Sequence, residues 1–172
     1  MKTTRPRRTL AWAAVPATLS AMLLTGCNPH MYDSVQGVSD VRPTEVVGTW
    51  HCVDGTRITL KPDGKAVITL LDGQEFDFYD RWRLSGTGTW QLTDADAGWS
   101  DGQHVRLSLA DRTAVEERHD PKDAPTDSGN PAPERYTWTL ETDRDKKGRL
   151  ALFFLFGDPD SRSLYMLEKL KK

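Results

Sequence analysis

Apolar and polar residues alternate along most of this chain, in short segments that are separated by turn signals. Ile58 and Leu60 alternate with Arg57 and Thr59, and the turn residues Pro62-Asp63-Gly64 follow them directly. Successive side chains of a strand point to opposite faces of a sheet, so a period of two predicts strands with one buried and one solvated face. Asp-Gly between two such segments is a strong signal for a hairpin. The pattern therefore predicts antiparallel strands joined by tight turns.

The same alternation continues to the end of the chain. Trp82 and Leu84 share one face, and Val105, Leu107 and Leu109 share another. Residues 150–156 are apolar on both faces, which predicts the most enclosed strand, and residues 163–170 form the last strand. We count about nine strands and find no long segment with helical periodicity. The pattern predicts an antiparallel all-β domain over residues 45–172.

Two segments interrupt the alternation. Residues 93–103 are acidic and rich in glycine, and residues 111–133 contain four prolines and many charges. Such composition is typical of loops, although the start of the second segment can prolong a strand. We expect both segments to form loops that are available to a partner.

The N-terminus carries a different pattern. Four bases among the first eight residues precede the uncharged apolar residues 10–24. A basic segment followed by an apolar one is typical of an export signal, and it is shorter than the roughly 20 residues that span a bilayer. The apolar segment ends at Leu24-Thr25-Gly26-Cys27, which resembles the lipobox of bacterial lipoproteins.

The resemblance to the lipobox implies a fate for the N-terminus. It implies that residues 1–26 are a cleaved signal peptide and that Cys27 carries a lipid. Residues 27–44 contain Pro29, Gly37 and Pro43 with little periodicity, and they are interpreted as a flexible tether. Arg7-Arg8 is compatible with twin-arginine export, and the general secretory route stays open. The expected location is the extracytoplasmic face of the cell membrane.

Removing the signal peptide changes the charge of the chain. Four of its 23 bases and none of its 25 acids precede Cys27, which leaves 19 bases and a net charge near −6. An acidic chain without a basic patch is poorly suited to nucleic acid. Cys52 is the only other cysteine, so an intramolecular disulfide is not expected once Cys27 is acylated. Cys52 itself is interpreted as a small buried apolar residue.

A second resemblance concerns the barrel. Gly48-Thr49-Trp50, the hairpin of residues 58–65 and the segment Gly88-Thr89-Trp90-Gln91-Leu92 resemble small bacterial lipocalin-like domains. This resemblance implies that the strands form an antiparallel up-and-down barrel of about eight or nine strands, with the first-strand tryptophan packed at its base. An eight-stranded barrel is filled by side chains or holds one small ligand.

Aromatic residues are the main candidates for a binding site. They could line a cavity for an apolar ligand, and the alternative is that they fill the core. The candidate ligand-binding residues are Trp50, Trp82, Trp90, Trp138 and Phe154, with Tyr136 and Phe156 as possible neighbours.

No motif predicts catalysis, a cofactor or a metal. Ser85-Gly86-Thr87-Gly88 lacks the glycine that precedes the serine of a nucleophile elbow. The acidic loop has Trp99 where a calcium loop requires glycine, and the histidines are widely separated along the chain. The residues considered for a metal were Asp94, Asp96, Asp101, His30, His51, His104 and His119.

The sequence therefore predicts a non-enzymatic, membrane-anchored binding module. Its expected partners are the membrane, through the lipid on Cys27, and a small apolar ligand in the barrel. The alternative is a protein-interaction or envelope-assembly factor that uses its rim loops around a solid core.

Overall fold

A computed structural model gives the fold of the barrel. It describes residues 37–52, 55–76, 79–94, 101–118, 130–157 and 163–171. The predicted signal peptide, Cys27 and the tether before residue 37 lie outside this part of the chain.

Eight antiparallel strands form a closed up-and-down barrel, which confirms the predicted fold class. Each strand pairs with the next one, and β8 pairs with β1 through Trp50↔Lys169 and His51↔Glu168. The elements are α1 Pro43–Val46, β1 Gly48–His51, β2 Arg57–Leu60, β3 Lys65–Asp72, β4 Trp82–Thr93, β5 His104–Glu117, β6 Tyr136–Arg144, β7 Leu150–Leu155 and β8 Leu164–Lys169.

The strand β4 joins two segments that the sequence pattern separates. Gly86 and Gly88 lie between them and continue the strand, where a side chain would have no room. A Cβ atom at Gly88 would meet the Ser108 carbonyl, and one at Gly86 would meet the Asp111 carbonyl. Glycine is therefore required by the close approach of β5, whose pairing with β4 shifts register at these positions.

Successive connections between strands lie at alternate ends of the barrel, so different segments form its two ends. We call the helix end the one that carries residues 37–47, the turns 61–64 and 145–149, and the loop 94–103. The loop end carries the connections 52–56, 73–81, 118–135 and 156–163.

Residues 38–46 pack against the helix end, although the sequence analysis placed most of them in the tether. Val41 and Val46 are buried in the core. The Val41 N–H donates to Gln103 Oε1 at 2.7 Å, and the Gln103 N–H donates to the Val38 carbonyl at 2.8 Å. The chain is therefore attached to the barrel from residue 38 onwards.

Val46 ends the short helix α1. Its alternation with Val47 is typical of a strand, but β1 begins only at Gly48. Pro43 lies in the first turn, and the Arg42 N–H donates to Glu45 Oε2 at 3.0 Å as part of a capping box. This N–H, followed by the Arg144 guanidinium, lowers the pKa of Glu45 to about 2. The ionised Glu45 therefore ties the helix to β6 through Arg144 Nη1 at 3.2 Å.

The core runs from the helix end to the loop end as one cluster of apolar side chains. Its largest completely buried members include Trp50, Trp138 and Phe154. Leu152 and Phe153 of β7 are also buried, on opposite faces of the strand, as expected for the most enclosed strand. Cys52 is partly buried and packs against this core.

Candidate functional site at the loop end

All five candidate ligand-binding residues belong to the core cluster. Trp50 and Trp90 lie towards the helix end, Trp138 and Phe154 lie deep in the barrel, and Trp82 begins β4 at the loop end. A role in ligand binding stays a prediction for these residues, since their packing serves the core in any case.

Hydrogen bonds distinguish Trp82 from the other three strand tryptophans. Trp50 Nε1 donates to the Val46 carbonyl at 2.8 Å, and Trp90 Nε1 donates to the Lys61 carbonyl at 2.8 Å. Trp138 Nε1 donates to the Asp72 carbonyl at 2.7 Å. The N–H groups of these three indoles are hydrogen-bonded to backbone carbonyls of neighbouring segments. Buried tryptophans in a structural role usually have such a partner for their N–H.

Trp82 is 4% exposed, and its Nε1–H has no acceptor within the described part of the chain. Its ring packs edge to face with Tyr136, with centroids 5.0 Å apart. A buried donor without an acceptor costs about 1–3 kcal/mol. Trp82 is therefore a point at the loop end where an acceptor atom of a ligand would be stabilised.

A buried polar network lies beside this tryptophan, centred on Asp72. The Asp72 side chain is 0% exposed, and its carboxylate accepts a hydrogen bond from Tyr165 Oη at 2.6 Å. Arg118 approaches the same carboxylate with Nε and with Nη2, the latter at 3.0 Å. Arg83 Nε lies 3.7 Å from Asp72 Oδ2. The charge of Asp72 is thus balanced within the barrel, as a buried charge must be.

Thr56 and Leu70 complete the network. Arg83 Nη2 donates to Thr56 Oγ1 at 2.8 Å, and Arg83 Nε donates to the Leu70 carbonyl at 3.1 Å. Leu70 has a φ of 49° at the register shift between Ile68 and Leu71. A leucine in the left-handed region is uncommon, and here the polar network holds it there through its carbonyl.

Asp72 also joins two groups of aromatic rings. On one side lie Trp82, Tyr136 and Trp138, which make edge-to-face contacts. On the other side Phe76 stacks on Phe156 at 4.5 Å, and Phe76 meets Tyr165 edge to face at 6.1 Å. Aromatic rings and a few fixed polar groups therefore meet at the loop end, and small-molecule sites combine the same kinds of residue.

The tyrosines at this end stay protonated and serve as donors. Burial, assisted by Asp80, raises the pKa of Tyr136 to about 12, although the Gln74 N–H acts in the opposite direction. Burial and the hydrogen bond to Asp72 raise the pKa of Tyr165 well above its usual range. Both phenols are therefore neutral at any physiological pH.

The connection 73–81 covers these rings. Gln74 Oε1 accepts the Thr139 N–H at 3.2 Å, and its carbonyl accepts the Gly157 N–H at 3.3 Å. The Asn130 N–H donates to the Tyr79 carbonyl at 2.8 Å, which joins this connection to the β5–β6 connection.

Comparisons with known proteins found no matching family model, no similar curated protein and no similar solved structure.

The described residues contain no group of three or more side chains that could hold a metal ion. His104 Nε2 lies 2.9 Å from Glu141 Oε2 in a buried pair, and His51 lies on β1. Asp94 and Asp101 are described, whereas Asp96, His30 and His119 lie outside the described residues. Within the same residues, no helix has the length and apolar character to span a membrane.

Sequence reasoning missed the polar network. Asp72 was interpreted as part of an Asp-Gly turn, and Arg83 as part of the solvated face opposite Trp82. Both are buried, together with Thr56 and Tyr165. Alternation contains no signal for this, because burial on the second face depends on which connection folds over the barrel end.

Proposed function

We propose that the protein is a lipid-anchored, extracytoplasmic, non-enzymatic binding module with a ligand site at the loop end of its barrel. The anchor rests on the lipobox-like Leu24-Thr25-Gly26-Cys27 and the basic and apolar segments before it. A diacylglyceryl group supplies two acyl chains, which suffice for stable attachment where one chain is marginal. The chain between Cys27 and the packed residue 38 then joins the membrane to the helix end.

The observation that carries the ligand site is the buried Trp82 Nε1–H, which finds no acceptor in the described chain. The surrounding rings favour an apolar ligand, and the donor favours one with a hydrogen-bond acceptor such as a carbonyl or hydroxyl oxygen. We therefore propose a small, largely apolar ligand that places its acceptor at Trp82.

Native mass spectrometry after incubation with an extract of cell-envelope lipids tests this site. The wild-type protein is expected to retain an adduct, and Trp82→Phe should weaken its retention by about fivefold, the value of one net hydrogen bond of about 1 kcal/mol. Trp90→Phe is the matched control, because the Trp90 N–H is already bonded to the Lys61 carbonyl. The absence of any adduct on the wild-type protein would count against the ligand site.

The anchor is tested separately by Cys27→Ser. We expect the wild-type chain in the membrane fraction with the added mass of a lipid, and the variant without that mass in the soluble fraction, since it lacks the acylated sulfur. A Cys27→Ser chain that stayed membrane-bound and acylated would overturn the proposal.

A second candidate function is supported by the packing of the core. Trp50 and Trp138 are completely buried, and their N–H groups bond to backbone carbonyls, as in a barrel that serves only as a scaffold. The protein would then act as an envelope-assembly factor through its rim loops. The first segment, 93–103, joins β4 to β5 at the helix end, and the second, 111–133, leads from β5 to β6 at the loop end. The two segments would therefore form two separate surfaces. Retention of every co-purifying partner after deletion of residues 119–129 would refute a role for the second segment.

A further inference from the structure

A groove of about 510 Å³ lies on the outer surface at the helix end. The turn 145–149 borders one side, and the residues that follow β8 border the other. Glu45 of α1 also lines it, so the groove lies where the chain from the N-terminus reaches the barrel.

The apolar lining of this groove comprises Leu150, Ala151, Met166 and Leu170. Met166 is 38% exposed and Leu170 is 40% exposed, and Leu164, two positions before Met166 on the same face of β8, is 47% exposed. Exposed apolar side chains that cluster on one face mark a contact surface more often than single ones do.

Charge around the groove is opposite in sign to that of the chain. The ion pairs of Arg144 with Glu45 and of Arg149 with Asp145 neutralise two of its acids. Of the other lining residues, Lys169 and Lys171 are bases and Glu168 is an acid. The exposed Lys146 and Lys147 belong to the turn that borders the groove, next to the exposed Asp143. A locally positive surface on a chain with more acids than bases is complementary to an anionic partner.

We propose that this groove binds an anionic phospholipid of the bilayer to which the protein is anchored, a proposal that rests on the lipid anchor at Cys27. The exposed lysines contact the phosphate region, and the apolar lining residues of the groove contact the upper part of an acyl chain. Apolar contact together with nearby lysines is the chemistry of binding at a membrane interface.

The length of the connecting chain supports this occupant. Nine residues separate Cys27 from Gly37, and the ten steps from one Cα atom to the next reach at most about 35 Å when the chain is fully extended. The helix end of an anchored molecule is thus kept close to the lipid headgroups, so even a weak site would be occupied. The loop end, with Trp82 and the Asp72 network, would then face away from the bilayer.

Vesicle co-sedimentation tests the proposal independently of acylation. The probe is the chain from residue 27 onwards with Cys27→Ser, mixed at low salt with vesicles of phosphatidylcholine containing phosphatidylglycerol or of phosphatidylcholine alone. We expect binding to the anionic vesicles only. Lys146→Gln with Lys147→Gln should weaken this binding by about 25-fold, since each lysine near an anionic surface contributes about fivefold.

Further variants test separately how much charge and how much the apolar lining contribute to vesicle binding. Arg106→Gln removes an exposed base from β5, away from the groove, and is expected to bind as the parent chain does. Met166→Gln with Leu170→Gln should weaken binding without a change of charge, whereas Val67→Gln, at a residue 37% exposed on β3, should not.

Three outcomes would overturn the proposal. They are equal binding to both kinds of vesicle, an unchanged affinity in the Lys146 and Lys147 variant, and displacement by inorganic phosphate beyond that caused by chloride at equal ionic strength. The last result would indicate a site for free phosphate. If the wild-type chain is acylated at Cys27 in cells but the Cys27→Ser probe does not bind the vesicles, the groove is refuted and the anchor is not. If the probe binds the vesicles but the wild-type chain is never acylated in cells, the anchor is refuted and the groove is not.

Discussion

Trp138→Phe is expected to lower the free energy of unfolding by about 2 kcal/mol more than Trp82→Phe does, although the two substitutions remove the same atoms. Trp138 Nε1 donates to the buried Asp72 carbonyl at 2.7 Å, so its removal leaves that carbonyl without this donor. Trp82 Nε1 has no acceptor among the described residues, so its removal relieves a buried donor. Urea denaturation of the two variants at neutral pH measures the difference.

Trp50→Phe provides the control for this comparison. Its N–H donates to the Val46 carbonyl at 2.8 Å, so the variant should resemble Trp138→Phe. Every Trp→Phe substitution also loses ring volume, which lowers the free energy of unfolding. The variants are therefore compared with one another and not with the wild-type protein alone. Equal losses for Trp82→Phe and Trp138→Phe would show that Trp82 does have an acceptor, and the ligand site would lose its main support.

Asp72→Asn is expected to cost about 3–5 kcal/mol of stability, the usual loss when one partner is removed from a buried ionic network. The asparagine keeps the shape of the side chain and removes its charge. Arg83, whose side chain is 4% exposed, would lose a carboxylate at 3.7 Å, and Tyr165 would lose a charged acceptor at 2.6 Å. Thermal unfolding followed by near-ultraviolet circular dichroism would detect the loss, because Tyr165 and Trp138 both contact Asp72.

Asp63→Asn is the control for Asp72→Asn. The Asp63 side chain is 54% exposed and its carboxylate lies 3.4 Å from Lys65 Nζ, so water replaces the lost interaction and the expected loss of stability is small. A similarly small cost for Asp72→Asn would mean that the network is not a stabilising element of the loop end.

The position of the strands follows largely from local sequence. Alternation and Asp-Gly turns predict the hairpin of β2 and β3, which the structure confirms through the pair Ile58↔Ile68. Gly86 and Gly88 separate two alternating segments of the sequence but lie within β4, because the close approach of β5, some 20 residues further along the chain, requires glycine there. A glycine needed for close packing and a glycine needed for a turn look alike in one sequence.

The ends of the barrel could not be derived in this way. Val41 and Val46 become core residues because the segment before β1 folds under the barrel. Asp72 and Arg83 become buried because the chain bends at Leu70 and the connection 73–81 closes the loop end. These outcomes depend on contacts between segments far apart in sequence, and no local periodicity records them.

The sequence by itself determined the all-β class, since a period of two gives each strand one apolar face to bury. Closure into a barrel was expected from the lipocalin-like resemblance, and the pairing of β8 with β1 shows it. The sequence also supplied the anchoring hypothesis, because export and acylation are read from a short linear motif. Only the tertiary structure decided which tryptophan N–H lacks a partner, where the charges of Asp72, Arg83 and Arg118 meet, and that Met166 and Leu170 share a groove with Arg149. The physical reason is that alternation assigns a face to each side chain, whereas a site requires side chains from different strands to come within hydrogen-bonding distance.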